Sequence, residues 1–162
     1  MAKSVKPVPE GFHTVTPYLV QQDAKRAIEF YTRAFGAETR KSMPGPGGRV
    51  MHAEIRIGDS AIFLSDEFPE MSPETRSPQS AGCVTGTIFL YVPDVDAVFK
   101  KAVEAGARVI LPVSDAFWGD RFGKLVDPFG HHWGIATHKE DLTPQEIQMR
   151  QAEWEKETAR KR

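Results

Sequence analysis

What this sequence lacks narrows its role before any motif is read. Among 162 residues there is one cysteine, Cys83, so no disulfide can close within the chain and a reducing, cytoplasmic setting is expected. A lone thiol in a Ser/Gly-rich stretch reads as incidental rather than as a nucleophile. Charge of one sign is also missing: 21 Lys and Arg stand against 22 Asp and Glu, for a net charge of −1. Nucleic-acid and membrane-surface partners usually demand a basic excess, so neither is expected. No apolar run approaches the roughly 20 residues of a membrane-spanning helix. The opening MAKSVKPVPEGF has two prolines and no apolar stretch, and does not read as a secretion signal. There is no glycine-rich nucleotide loop. The remaining 40% hydrophobic content is enough for a real core, in one domain or two small halves.

What is present falls into two similar halves. Residues 1–11 read as a loose arm. A strand is predicted over 14–20, with Pro17 implying an edge or bulge. Asp23 can cap a helix over 24–35, where Ala27, Ile28, Tyr31 and Phe35 recur at helical spacing and Gly36 ends the run. Strand-like residues lead to the loop Pro44-Gly45-Pro46-Gly47-Gly48. Residues 49–57 and 60–66 flank Gly58-Asp59 as a hairpin. Residues 68–83 carry no periodicity and read as a connecting loop. The pattern then restarts, with a strand over 87–92, a helix from Asp94 to Ala105 and Gly106 at its end. AIEFYTRAFGA in the first half answers AVFKKAVEAGA in the second. This is a duplicated β-α-β-β-β unit, and each half needs the other, or a second chain, to complete a core. At the end, Thr143-Pro144-Gln145-Glu146 spells a capping box, predicting a helix over 142–162 that closes on Arg160-Lys161-Arg162.

The densest chemistry lies in residues 117–138, FWGDRFGKLVDPFGHHWGIATH. Asp127-Pro128-Phe129-Gly130 fits a type I turn, with flanks that suit a hairpin. Pairing directly across four turn residues puts Arg121, Gly123, Leu125, His132, Gly134, Ala136 and His138 on one face. The other face carries Phe122, Lys124, Val126, Trp133, Ile135 and Thr137, and reads as core. Adjacent His131 and His132 point to opposite faces and cannot readily share an ion.

VQQDAKRAIEFYTRAFGAE in the first half and FWGDRFG with DPFGHHWGIATHKED in the second resemble the vicinal-oxygen-chelate superfamily of glyoxalases, bleomycin-resistance proteins and extradiol dioxygenases, most closely its PhnB-like branch. The resemblance covers residues 12–141. It implies an α+β fold in which tandem βαβββ modules, 12–67 and 84–141, form a curled mixed sheet cup as one domain, with the C-terminal helix added. In the superfamily's enzymes the cup holds a divalent metal on four side chains. Carried onto this chain, those positions fall near Thr16, Leu64, Thr87 and Gly134, none of them an anionic or imidazole ligand. No metal or other cofactor is therefore expected.

By alternation, the expected pocket lining includes Tyr18, Ile62, Leu64, Asp66, Phe89, Tyr91, Arg121 and His132, with Trp118 as a further candidate. This is an apolar, aromatic lining with a few polar groups, the usual make-up of a small-molecule site. Arg121 suits a carboxylate or phosphonate, or else pairs structurally with Asp120, Asp127 or Asp66. His52 is the weaker candidate, because alternation sets it opposite Ile62 and Leu64, where a structural or interface role is the competing reading. The sequence identifies no catalytic residue. The expectation is a homodimer that binds a small molecule in a metal-free pocket. Two alternatives stay open: a metal-dependent lyase or dioxygenase using His13, His52, Glu67 or His138, and a protein-interaction module.

Overall fold

The computed structural model describes residues 5–161; residues 1–4 of the expected arm and the terminal Arg162 lie outside the described residues. The chain divides into two compact units, the first ending at Val84 and the second starting at Thr85.

The first unit runs β1 (Tyr18–Gln21), α1 (Ala24–Phe35), β2 (Glu38–Pro44), β3 (Val50–Ile57), β4 (Ser60–Asp66) and the short α2 (Pro78–Ala81). Its sheet has the order β1-β4-β3-β2, with β1 parallel to β4 and the other pairs antiparallel. Helix α1 forms where the sequence allows it. The Asp23 side chain accepts from the Arg26 amide, Gly36 closes the helix in the left-handed region, and Ala24, Ala27, Phe30, Tyr31 and Ala34 make one buried stripe. Strand β1 starts later than the expected 14–20. Pro17 has no amide to donate, but its carbonyl accepts from Phe63 at the mouth of the strand.

Residues 68–83, read from the sequence as a connecting loop, carry the short α2. Glu67, only partly exposed, receives the Ser77 amide and the Ser80 hydroxyl, and Ser77 in turn caps α2. Burial pushes the Glu67 pKa up, but these hydrogen bonds outweigh it and hold the carboxyl below its ordinary range. Phe68 is buried beneath the Arg49 guanidinium.

The second unit repeats the order: β5 (Thr87–Tyr91), α3 (Val95–Glu104), β6 (Arg108–Asp115), β7 (Asp120–Val126) and β8 (His132–His138), followed by α4 (Pro144–Arg160). Its sheet order, β5-β8-β7-β6, matches the first. Asp94 caps α3 through the Ala97 amide, as Asp23 caps α1. The N-terminus of each helix is also tied to the last strand of its own sheet. In the first unit Asp66 accepts from the Ala24 amide; in the second Thr137 accepts from the Val95 amide. Helix α4 starts at the expected capping box, Thr143 with Glu146. The fold is thus α+β: two mixed four-stranded sheets, neither closed, each with one helix packed on one face, plus the C-terminal helix.

Candidate functional site

The hairpin of β7 and β8 sets the faces of the second sheet. The turn begins as expected, with the Gly130 amide donating to the Asp127 carbonyl. The Asp127 carboxylate, nearly fully buried, receives the amides of Phe129 and His131 and the Trp133 indole. The connection is one residue longer than a direct crossing, because Gly130 takes φ 93° and Val126 pairs with His132 rather than with His131. One added residue moves every side chain of one strand to the other face. The expected faces are corrected accordingly: Arg121 pairs with Thr137, and Phe122 with Ala136.

The helix-bearing face holds Arg121, Gly123, Leu125, Trp133, Ile135 and Thr137. Gly123 marks it, since a Cβ there would sit 2.8 Å from Phe99 of α3. Arg121 is therefore not beside His132. Its guanidinium makes a two-pronged bond to Asp96 of α3, 2.7 and 2.8 Å, and a third bond of 3.2 Å to Asp115. Hydrogen bonds to these carboxylates raise its already high pKa. Asp96 and Asp115 take the structural role that the sequence assigned to other partners.

The opposite face is open and aromatic. Thr87, Phe89 and Tyr91 of β5 lie beside His132, Gly134 and Ala136 of β8. Phe89 and Tyr91 rings are 5.1 Å apart, and Phe89 stacks on Phe122 at 5.5 Å. Gly134 makes this stack possible: a Cβ there would sit 2.7 Å from the Phe89 ring. Phe89 is 43% and Tyr91 66% exposed despite their size. Trp118 extends the surface 5.5 Å from Phe122, and Phe117 links it to Trp154 of α4 at 5.6 Å.

At the rim of these rings lies a polar network that the sequence reading missed. Asp120, 3% exposed, accepts from the Tyr91 hydroxyl (3.0 Å), the Trp118 indole (2.9 Å) and His138 Nδ1 (2.8 Å). Burial pushes the Asp120 pKa up, but the bonds from His138, Trp118 and Tyr91 outweigh it and hold the carboxyl below its ordinary range. The Tyr91 hydroxyl, bonded to that carboxylate and partly desolvated, is raised. His138 Nε2 meets Asp141 at 2.9 Å. Asp141 first, and then Asp120, raise the histidine above its ordinary value. Behind Asp120 is an open pocket of about 180 Å³, lined by Asp115, Ala116, Gly119, Lys139, Glu140 and Arg150 as well. Tyr91 lies 29 residues before Asp120 in sequence and His138 18 after it; the local signals were Trp118 two residues before Asp120, and Asp120 and His138 ending the two arms of the same hairpin.

The first sheet follows the same plan. Its helix-bearing face carries Leu19, Ile62, Leu64 and Asp66. Leu64 is fully buried, and Asp66 bonds the Ala24 and Val50 amides at 2.7 and 2.6 Å. Leu64 and Asp66 thus lie under α1, and so does Ile62, not on the open face where the sequence placed them. Alternation did set His52 opposite them, but the side opposite them is the open one. There His52 bonds Tyr18 at 3.2 Å and packs against Phe63 at 4.8 Å, with Phe12 5.6 Å from Phe63.

The four positions that the resemblance gives to a metal do not make a donor set. Leu64 faces α1, Gly134 supports the Phe89 ring, and Thr16 and Thr87 offer neutral hydroxyls at most. Among the described residues, no three His, Cys, Asp or Glu side chains group so as to hold a metal ion. Also among them, no helix is long and apolar enough to cross a membrane.

With this geometry in place, comparison with known proteins fixes the family. The profile of the Glyoxalase/Bleomycin resistance protein/Dioxygenase superfamily matches residues 11–135. The chain belongs to that superfamily. It is similar to the Mycobacterium bovis protein Mb0911c, 41% identical over 149 residues that cover 91% of this chain and 94% of the relative. Among solved structures it resembles TioX from Micromonospora sp. ML1, with a TM-score of 0.61 and 27% identity over 78% of this chain and 98% of TioX. The PhnB protein of Bacillus cereus shares the fold, with a TM-score of 0.58 and 19% identity over 77% of this chain and 99% of that one.

Proposed function

We propose that this superfamily member binds a small, flat organic molecule on the open face of its second sheet, and that binding needs no metal. One observation carries the reading. Phe89 stacks on Phe122 over Gly134 and Tyr91 packs tilted against Phe89, on the side of the sheet away from its helix, with Phe89 and Tyr91 left largely exposed. A sheet face of this kind, beside a few fixed polar groups, has the composition of a small-molecule site. Each stacked ring offers roughly 0.5–1.5 kcal/mol beyond its buried area to a flat ligand. The superfamily's bleomycin-resistance members give the reading a precedent in sequestration. The lack of a donor set at the inherited positions favours it over lyase or dioxygenase chemistry.

The test is a titration of metal-stripped protein with 2-naphthylmethanol, a flat neutral probe, followed by tryptophan fluorescence and calorimetry. Saturable binding near one equivalent is expected. Phe89→Ala should weaken it about 2- to 13-fold, the equilibrium equivalent of one lost stacking contact. Absence of saturable binding, or binding that appears only after a divalent metal is added, would sink the proposal.

A further inference from the structure

The polar network beside the aromatic surface points to the chemical class of its ligand, an inference that rests on the binding reading above. Both nitrogens of His138 meet carboxylate oxygens, Nδ1 on Asp120 and Nε2 on Asp141. Since a carboxylate only accepts, both nitrogens donate at once only in the protonated ring, the form that the two carboxylates favour. The two carboxylates are not equivalent. Asp120 is buried and also holds Tyr91 and Trp118, so removing it would leave three donors without an acceptor. Asp141 is fully exposed, three residues after His138 and past the end of β8. An exposed pair of that kind is weak and exchanges readily with water.

Position supplies the second part of the argument. Tyr91 pairs with Ala136, and His138 is the next residue of β8 on the same face. Two residues of strand cover roughly 7 Å, which is the span of a fused aromatic ring bearing an acid group. Lys139, which lines the pocket behind Asp120, adds positive charge nearby; Arg150 there is paired with Glu140, and Asp115 with Arg121. We propose that His138 is the recognition point for the carboxylate of a flat aromatic acid lying on Phe89 and Tyr91, and that Asp141 occupies that point until the ligand displaces it. Asp120 is the positioning residue: it fixes the ring and leaves Nε2 facing outward.

The experiment compares 2-naphthoate with 2-naphthylmethanol on the full chain at neutral pH and low salt. The wild type should prefer the acid about tenfold, the worth of a charge-assisted hydrogen bond. Asp141→Ala, at a fully exposed site, should raise the preference for the acid over the alcohol about two- to fivefold further by removing the internal competitor. His138→Gln should bring the preference to about one while still binding the alcohol, which also reports that the variant is folded. Equal affinities in the wild type, a lower preference for the acid in Asp141→Ala, or a preference that survives His138→Gln would each overturn the assignment. In any of those cases alcohol binding leaves the general binding reading standing; failure of both probes overturns both.

Discussion

A methyl group at Gly134 would lie 2.7 Å from the Phe89 ring and 3.2 Å from the Phe122 ring, closer than side chains tolerate. Neither ring is the free end of a flexible chain; they are stacked on each other. Gly134→Ala is therefore expected to destabilise the fold by about 1–3 kcal/mol, and to weaken naphthylmethanol binding by moving Phe89. Gly86→Ala is the matched control. It meets nothing within 4 Å and has an ordinary φ, so it should stay within about 0.5 kcal/mol of the wild type. Equal melting temperatures for the two variants would show that the glycine does not support the rings. At the same scale, Asp120 and His138 predict a pH window. The folded-state pKa of His138 is raised, so its contribution is fully present below the ordinary histidine value of about 6.5 and is lost as pH rises through the raised one. The folded-state pKa of Asp120 is lowered, so its contribution is present above the ordinary carboxylate value of about 4 and is lost as pH falls through the lowered one. The melting-temperature difference between wild type and His138→Gln should peak between those two ordinary values and shrink on either side. A difference that is flat from acid to alkaline pH would contradict the pairing.

At the scale of elements, the repeated helices were legible because their signals are local. Asp23 and Asp94 cap, and Gly36 and Gly106 follow the last turns at the expected places. The faces of the strands were less so, for two reasons. Alternation in β4 correctly separated Leu64 from His52, but could not say which side faces the helix, since Phe63 and Tyr18 make the other side apolar too. In the β7–β8 hairpin, Asp127-Pro128-Phe129-Gly130 spells the turn but not the additional residue in its closure, and that residue carries Arg121 to the helix side. The Asp120 network depends on pairing across positions 91, 120 and 138, which no local spacing encodes. Helix α2 was missed because what secures it is partly outside it, the carboxylate of Glu67 ten residues before Ser77.

At the scale of the molecule, the outer strands of the two sheets differ in how they meet solvent. Strand β2 ends the first sheet with Glu38, Arg40 and Lys41 along it and Pro44 at its close. Charge and proline are the usual means of keeping an edge strand unpaired. Strand β6 ends the second sheet with Pro112 in its middle, but the three residues before that proline are apolar. Val109, Ile110 and Leu111 follow one another there, each 40–43% exposed. An apolar edge left open invites pairing with another chain, and a second copy of this protein is the occupant that every solution of it contains. We propose that the chain is a homodimer joined along β6. A stable association would bury at least about 1,000 Å² in total, more than three side chains supply, so neighbouring parts of β6 and α3 should take part. Sedimentation equilibrium at micromolar concentration should give a species near twice the 18.1 kDa chain mass. Ile110→Lys, which places a charge on the exposed edge, should shift that equilibrium toward the single chain without lowering the melting temperature of the monomer. A single 18.1 kDa species for the wild type, or a dimer indifferent to Ile110→Lys, would remove β6 as the interface.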